Sequence, residues 1–190
     1  VQTCALPIWF AVLDVETRRS AEEVGGWHKA RAMGVSVAVL YDSERGEFSD
    51  FSQEEVPLLF ERLTTFDIVV GFNILRFDYE VLSAHANGDF HKLPTLDMLV
   101  EIYKTLGYRL SLNSLARATL GTEKSADGLL ALEWWKQGRL KEIADKVTVA
   151  LDQLIPPASG PEAAPAIVTR GPGMKAPTGS PGSASTRRAV

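Results

Sequence analysis

Trp9-Phe10-Ala11-Val12-Leu13-Asp14-Val15-Glu16-Thr17 is an apolar run that ends on two acids two positions apart. Its first five residues read as a short strand buried on both faces. The acids follow directly, which puts both carboxylates at the carboxyl end of that strand and on the same side of the local chain. Acids there are costly unless a cation compensates them. The carboxyl ends of strands are also where open α/β sheets bind ligands, so a divalent metal is the natural partner. The spacing alone leaves a strand end with a helix-capping acid as the alternative. A second Asp-x-Glu, Asp42-Ser43-Glu44, stands beside Arg45 and Gly46 and reads as a solvated hairpin turn.

Outward from this strand the chain continues as an α/β pattern that opens with a meander. Residues 35–41 are a second β-rich run, and Glu47 to Phe51 alternates as a third strand. Ser52 is placed to cap a helix carrying Val56, Leu59, Phe60 and Leu63, and residues 66–72 return to strand. Phe77, Val81 and Leu82 mark the next helix, and Leu96, Leu99, Val100, Tyr103 and Leu106 another that stops at Gly107. Three more helices are expected. Ser111 opens the first, which ends at Gly121; Ser125 or Asp127 caps the second, through Trp134 and Trp135; the last runs from Arg139 to about Leu154.

A second acid-bearing motif lies in Gly71-Phe72-Asn73-Ile74-Leu75-Arg76-Phe77-Asp78. A strand end is followed by Asn73 and then by Phe77-Asp78 in the first turns of a helix, where an acid also complements the helix dipole. Taken with Asp14 and Glu16, this chain resembles the ribonuclease H-like DEDD superfamily of 3′–5′ exonucleases, most closely the YprB-type and polymerase-B-like exonuclease domains. Phe10 to Thr17 matches the first motif of that superfamily, and Asn73 to Asp78 the second. The resemblance extends through Leu93-Pro94-Thr95-Leu96-Asp97 and on to about residue 143. It implies a ribonuclease H-like mixed sheet flanked by helices, and two-metal hydrolysis of phosphodiester bonds. Two Mg²⁺ or Mn²⁺ ions about 3.5–4 Å apart would be held by Asp14, Glu16, Asp78 and a fourth acid. Thr17, Asn73 and Phe77 would support the substrate, which is DNA or RNA with a free 3′ end. Arg76 and Lys124 read as solvated side chains with phosphate contact as the alternative.

The third motif of the family, an Asp on the last helix preceded by Tyr four residues earlier or His five residues earlier, is broken here. The corresponding stretch, residues 142–152, holds no Tyr or His; Asp145 follows Lys141 by four residues, and Asp152 follows Thr148. Either Asp145 or Asp152 serves as fourth acid on a re-registered helix, or a disturbed reading frame removed the motif. The second is the expectation, with Asp145 the site residue of the first. Activity is accordingly expected to be impaired. The alternative is a catalytically degenerate module that docks nucleic acid, beside a helicase or repair protein. A nucleotide-binding domain is disfavoured because Asp14-Val15-Glu16-Thr17-Arg18-Arg19 stands where a Gly-rich phosphate loop would follow the first strand.

Composition agrees with one folded domain plus an appendage: 190 residues, 45% apolar and 23% charged. The domain is expected over residues 9–155. Residues 156–190 hold seven of the ten prolines, no aromatic residue, four basic residues and one acid, and are expected to be a disordered tail. The rest of the chain is therefore more acidic than the net charge of −4 suggests. That acidity argues against general polyanion binding but not against carboxylates that await metals. The single cysteine, Cys4, excludes an intrachain disulfide, and the opening residues 1–8 resemble translated adapter sequence, which would make Cys4 accidental. His28, His85 and His91 lack metal-site spacing and read as surface or supporting residues. With no signal peptide or membrane span in the pattern, a cytoplasmic protein without membrane contact is expected.

Overall fold

A computed structural model describes residues 8–121 and 128–152. The expected tail, the boundary near residue 155, the caps Ser125 and Asp127, and Lys124 lie outside the described residues. Strand β1 (Phe10–Thr17) is followed by a helical turn α1 (Ala21–Val24), a 3-10 segment (Trp27–Ala32), and the strands β2 (Val35–Asp42) and β3 (Glu47–Phe51). Helix α2 (Val56–Leu63), β4 (Ile68–Gly71), the short α3 (Asp78–Leu82), β5 (Thr95–Asp97) and α4 (Met98–Leu106) complete the α/β part. Three helices close it: α5 (Leu112–Leu120), α6 (Gly128–Lys136) and α7 (Leu140–Asp152).

The five strands form one mixed sheet in the order β3-β2-β1-β4-β5. β1 to β3 make the antiparallel meander, and β4 and β5 are added parallel to β1. Helices cover both faces, because successive side chains of a strand point in opposite directions and both sets are apolar here. Ala11, Leu13 and Val15 pack in one core with Leu59 and Leu63 of α2 and Tyr79 and Leu82 of α3. On the other face Val12, Val37 and Val39 meet Ala131 of α6 and Ile143, Val147 and Leu151 of α7.

Several local readings are met in detail. Ser52 and Glu55 form a reciprocal capping box ahead of α2, and the Ser111 hydroxyl accepts the Ser114 N–H. Others are corrected. β1 runs four residues beyond Leu13, so Asp14 and Glu16 lie within the strand rather than after it. Leu96 belongs to β5, and its helix starts at Met98 under an Asp97 cap, since the parallel pairing of β5 with β4 outweighs helical spacing there. Asp42 ends β2 rather than lying in the turn and is buried, where it pairs with Arg62 and accepts the N–H groups of Glu44 and Arg45. Between β1 and β2 the short elements at residues 21–32 carry no apolar periodicity, which is why only the structure reveals them.

Candidate active site

β1 lies between an antiparallel and a parallel neighbour, so connections leave its two sides in different directions and a crevice opens at its carboxyl end. The parallel register with β4 ends at Val12↔Val70, whereas β1 continues beside β2 through Glu16↔Val37 and a bulge to Thr17. Asp14 and Glu16 stand on this overhang. They share the face of Val12, which is the face covered by α6 and α7.

Asp78 approaches the overhang from the start of α3. It is buried, and its Oδ1 accepts the Val15 N–H at 2.9 Å, beyond the last pair with β4. Burial first, and the charge of Asp14 second, push its carboxyl well above the ordinary carboxylate range; Asp97 adds to the effect. Asp78 thus sits buried within the field of the half-buried Asp14.

The loop that delivers Asp78 is held by a residue that sequence reasoning did not assign to the site. Asp97, also buried, accepts the N–H of Asn73 at 2.9 Å and of Leu75 at 3.2 Å while capping α4 through Leu99 and Val100. A carboxylate taking four backbone N–H groups makes a rigid junction between β4, β5 and the loop. The Asp-Met-Leu sequence at a predicted helix start was the only local sign. Asn73 takes a left-handed conformation, φ 64°, and its N–H and carbonyl tie the turn into α3. Gly71 makes room for it: a Cβ there would fall 2.7 Å from Cδ1 and 2.8 Å from Cβ of the fully buried Ile74. Gly71→Ala is expected to cost about 1–3 kcal/mol by overpacking. Chemical denaturation would register it as a lower midpoint, and an unchanged midpoint would mean the loop can shift freely.

Glu16 meets a cation of this chain. The Lys146 ammonium lies 3.5 Å from Glu16 Oε1, and the two side chains are only 8% and 17% exposed. Ile143, Val147 and Leu151 bury one stripe of α7 against the sheet, and that register turns Lys146 toward β1. Asp145, the expected fourth acid, faces solvent and pairs with Lys141 at 3.3 Å. Asp152 is exposed as well. Asp78 thus lies on the Val15 N–H, one residue from Asp14, while Glu16 pairs with Lys146 and Asp145 faces solvent.

A cleft of about 870 Å³ adjoins this point, lined among others by Glu16, Thr17, Trp27, Asn73, Phe77 and Arg109. Trp27 is 72% exposed and meets Phe77 edge-on at 5.7 Å. Arg109 donates to Asn73 Oδ1 at 3.2 Å, which keeps a cation in the cleft lining beside Asn73. Thr17 is buried, with its hydroxyl donating to the Arg19 carbonyl at 2.9 Å. Arg76 is exposed beside a second, smaller hollow with Tyr103 and Lys104. His28 and His91 are exposed, and His91 pairs with Glu80 at 2.9 Å; His85 is half-buried, and burial lowers its imidazole pKa.

The donor chemistry suits one divalent ion: Asp14 and Asp78 offer hard oxygen atoms, and a cation would relieve their repulsion. A second ion would need Glu16 and another acid. Among the described residues no three His, Cys, Asp or Glu side chains are gathered to hold an ion, in keeping with Glu16 being drawn to Lys146.

Similarity to known proteins follows the fold. Among solved structures, the chain resembles the family B DNA polymerase from the hyperthermophilic archaeon Pyrobaculum calidifontis, with a TM-score of 0.55 and 15% identity over 78% of this chain. It covers 24% of that polymerase chain. A chain of an ExoI/SSB-Ct complex matches at TM-score 0.41 and 16% identity, over 80% of this chain and 46% of that one. No curated protein matches in sequence. The RNase H superfamily model matches residues 13–150, from the strand that carries Asp14 to the helix that carries Lys146, and the chain belongs to that superfamily.

Proposed function

We propose that this domain is a metal-dependent 3′–5′ exonuclease-type hydrolase of DNA or RNA, working slowly because its last helix lacks the family's Tyr or His and acid. The reading rests above all on buried Asp78, bonded to the Val15 N–H between Asp14 and Glu16, with Glu16 lining the adjoining cleft. A bound Mg²⁺ or Mn²⁺ would supply a water that is nucleophilic at neutral pH and a Lewis acid for the phosphate. Asp14 and Asp78 would hold the ion through carboxylate oxygens. Asp97 keeps the Asn73 loop, and with it Asp78, in place. Trp27 and Phe77 offer aromatic surface to a nucleobase, and Arg109 a cation to the backbone phosphate.

The test is Mn²⁺-dependent release of mononucleotides from a 3′-end-labelled strand. Slow release that Asp14→Asn abolishes is expected. Release that ignores both the metal and Asp14→Asn would overturn the assignment. The ion pair of Glu16 with Lys146 favours a second reading, a degenerate module that docks a 3′ end beside a partner such as a helicase; retention of the labelled strand with no release at all would select it.

A further inference from the structure

We propose that Lys146 is a built-in counter-ion for Glu16, standing where a second divalent cation would otherwise be held, so that this site takes one ion on Asp14 and Asp78. The inference rests on the metal-site reading above and narrows it to a single ion.

The Glu16–Lys146 pair differs from other lysine pairs among the described residues. Lys141–Asp145 and Lys104–Glu101 are surface pairs, with side chains 87% and 63%, and 65% and 50%, exposed. Glu16 and Lys146 are both nearly enclosed. An ammonium moved into such surroundings needs a carboxylate, and a carboxylate there needs a cation, so each satisfies the other. The helix cannot easily turn the lysine away. Ile143 and Val147, three residues before and one after, are buried at 0% and 2%, and any rotation that freed Glu16 would expose them. A divalent ion approaching Glu16 would meet a positive charge 3.5 Å from its ligand oxygen, or would have to break a nearly enclosed ion pair to displace it. Asp78, buried and bonded to the Val15 N–H one residue from Asp14, places a second carboxylate beside the first, an arrangement of hard oxygen atoms that favours a cation.

Calorimetric titration of Mn²⁺ into the full chain tests this directly, with no need for turnover. The unaltered protein is expected to bind about one ion. Lys146→Gln should open a second site or tighten binding about tenfold or more, by removing a close like charge. Lys146→Arg keeps the charge and should behave as the unaltered chain, and the gain should vanish in Glu16→Gln/Lys146→Gln. Two ions on the unaltered chain, or no gain in Lys146→Gln, would overturn the role of Lys146. If Lys146→Gln fails to fold by circular dichroism, the unaltered stoichiometry and the Lys146→Arg titration still decide. The proposed function fails differently: no protein in the set would then bind Mn²⁺.

Discussion

In metal-free buffer at neutral pH, a chain carrying Asp78→Asn is expected to melt at a higher temperature than the unaltered protein. Asparagine retains a side-chain oxygen to accept the Val15 N–H but brings no charge into the buried space beside Asp14. Burial and the Asp14 charge raise the Asp78 carboxyl above its ordinary pKa of 3.8. For a raised carboxyl the stabilising contribution is fully present below the ordinary value and is lost as pH rises through the raised one. The unaltered protein therefore carries its penalty at neutral pH and sheds it in acid. The difference between the two proteins, about 1–3 kcal/mol at pH 7, should shrink toward pH 4. Mn²⁺ should reverse the order. An ion held at a hundred times its dissociation constant stabilises by about 2.7 kcal/mol, and Asp78→Asn removes one of its ligands. Melting curves at both pH values, with chelator or with Mn²⁺, read all four corners of this comparison. A lower melting temperature for Asp78→Asn in chelator at neutral pH would assign Asp78 a purely structural part.

The larger effect on turnover is expected from α7. Positions 142 and 146 are four residues apart on one helical face, and residue 146 is the one directed at Glu16. Glu142→Tyr with Lys146→Asp would therefore rebuild the family's Tyr-x-x-x-Asp one residue beyond Asp145, in the register the helix already has. Glu142 gives up only an exposed pair with Arg139 at 2.9 Å. Lys146→Asp adds an acid to an acidic group, so metal-free stability should fall while Mn²⁺ binding tightens. Positioned groups that orient or deprotonate water contribute about 10²–10⁴-fold, and a rise in mononucleotide release within that range is expected. The same pair of changes placed at Lys141 and Asp145, as Lys141→Tyr alone, should give no rise, because those side chains face solvent. Equal rates from both designs would mean that α7 does not face the reacting phosphate.

The fold was legible because its strands and helices are built from local signals. Alternating or continuous apolar runs mark β1 to β4, Ser52 and Ser111 cap their helices, and Gly107 and Gly121 end theirs in left-handed conformation. Where two signals competed, the nonlocal one won: Leu96 fits the helical spacing of α4, yet its backbone is claimed by β4. Asp42 misled for a similar reason. The turn that follows it is local, but Arg62, twenty residues away, pairs with its carboxylate and compensates its burial.

The acids were found in the sequence because Asp14 and Glu16 interrupt an apolar strand and Asp78 opens a helix, positions where carboxylates need a reason. Their order along β1 and α3 was a property of the chain. Their electrostatics were not. Whether an acid is paired, repelled or solvated depends on groups tens of residues away, and only packing brings those together. Asp97 became the clamp of the Asn73 loop through the β4–β5 register. On α7, the apolar stripe Ile143-Val147-Leu151 set the rotation of the helix, and that rotation sent Asp145 to solvent and Lys146 to Glu16. Sequence alone determined which residue types could form the site; the burial of one helix face against the sheet decided which charge arrived there.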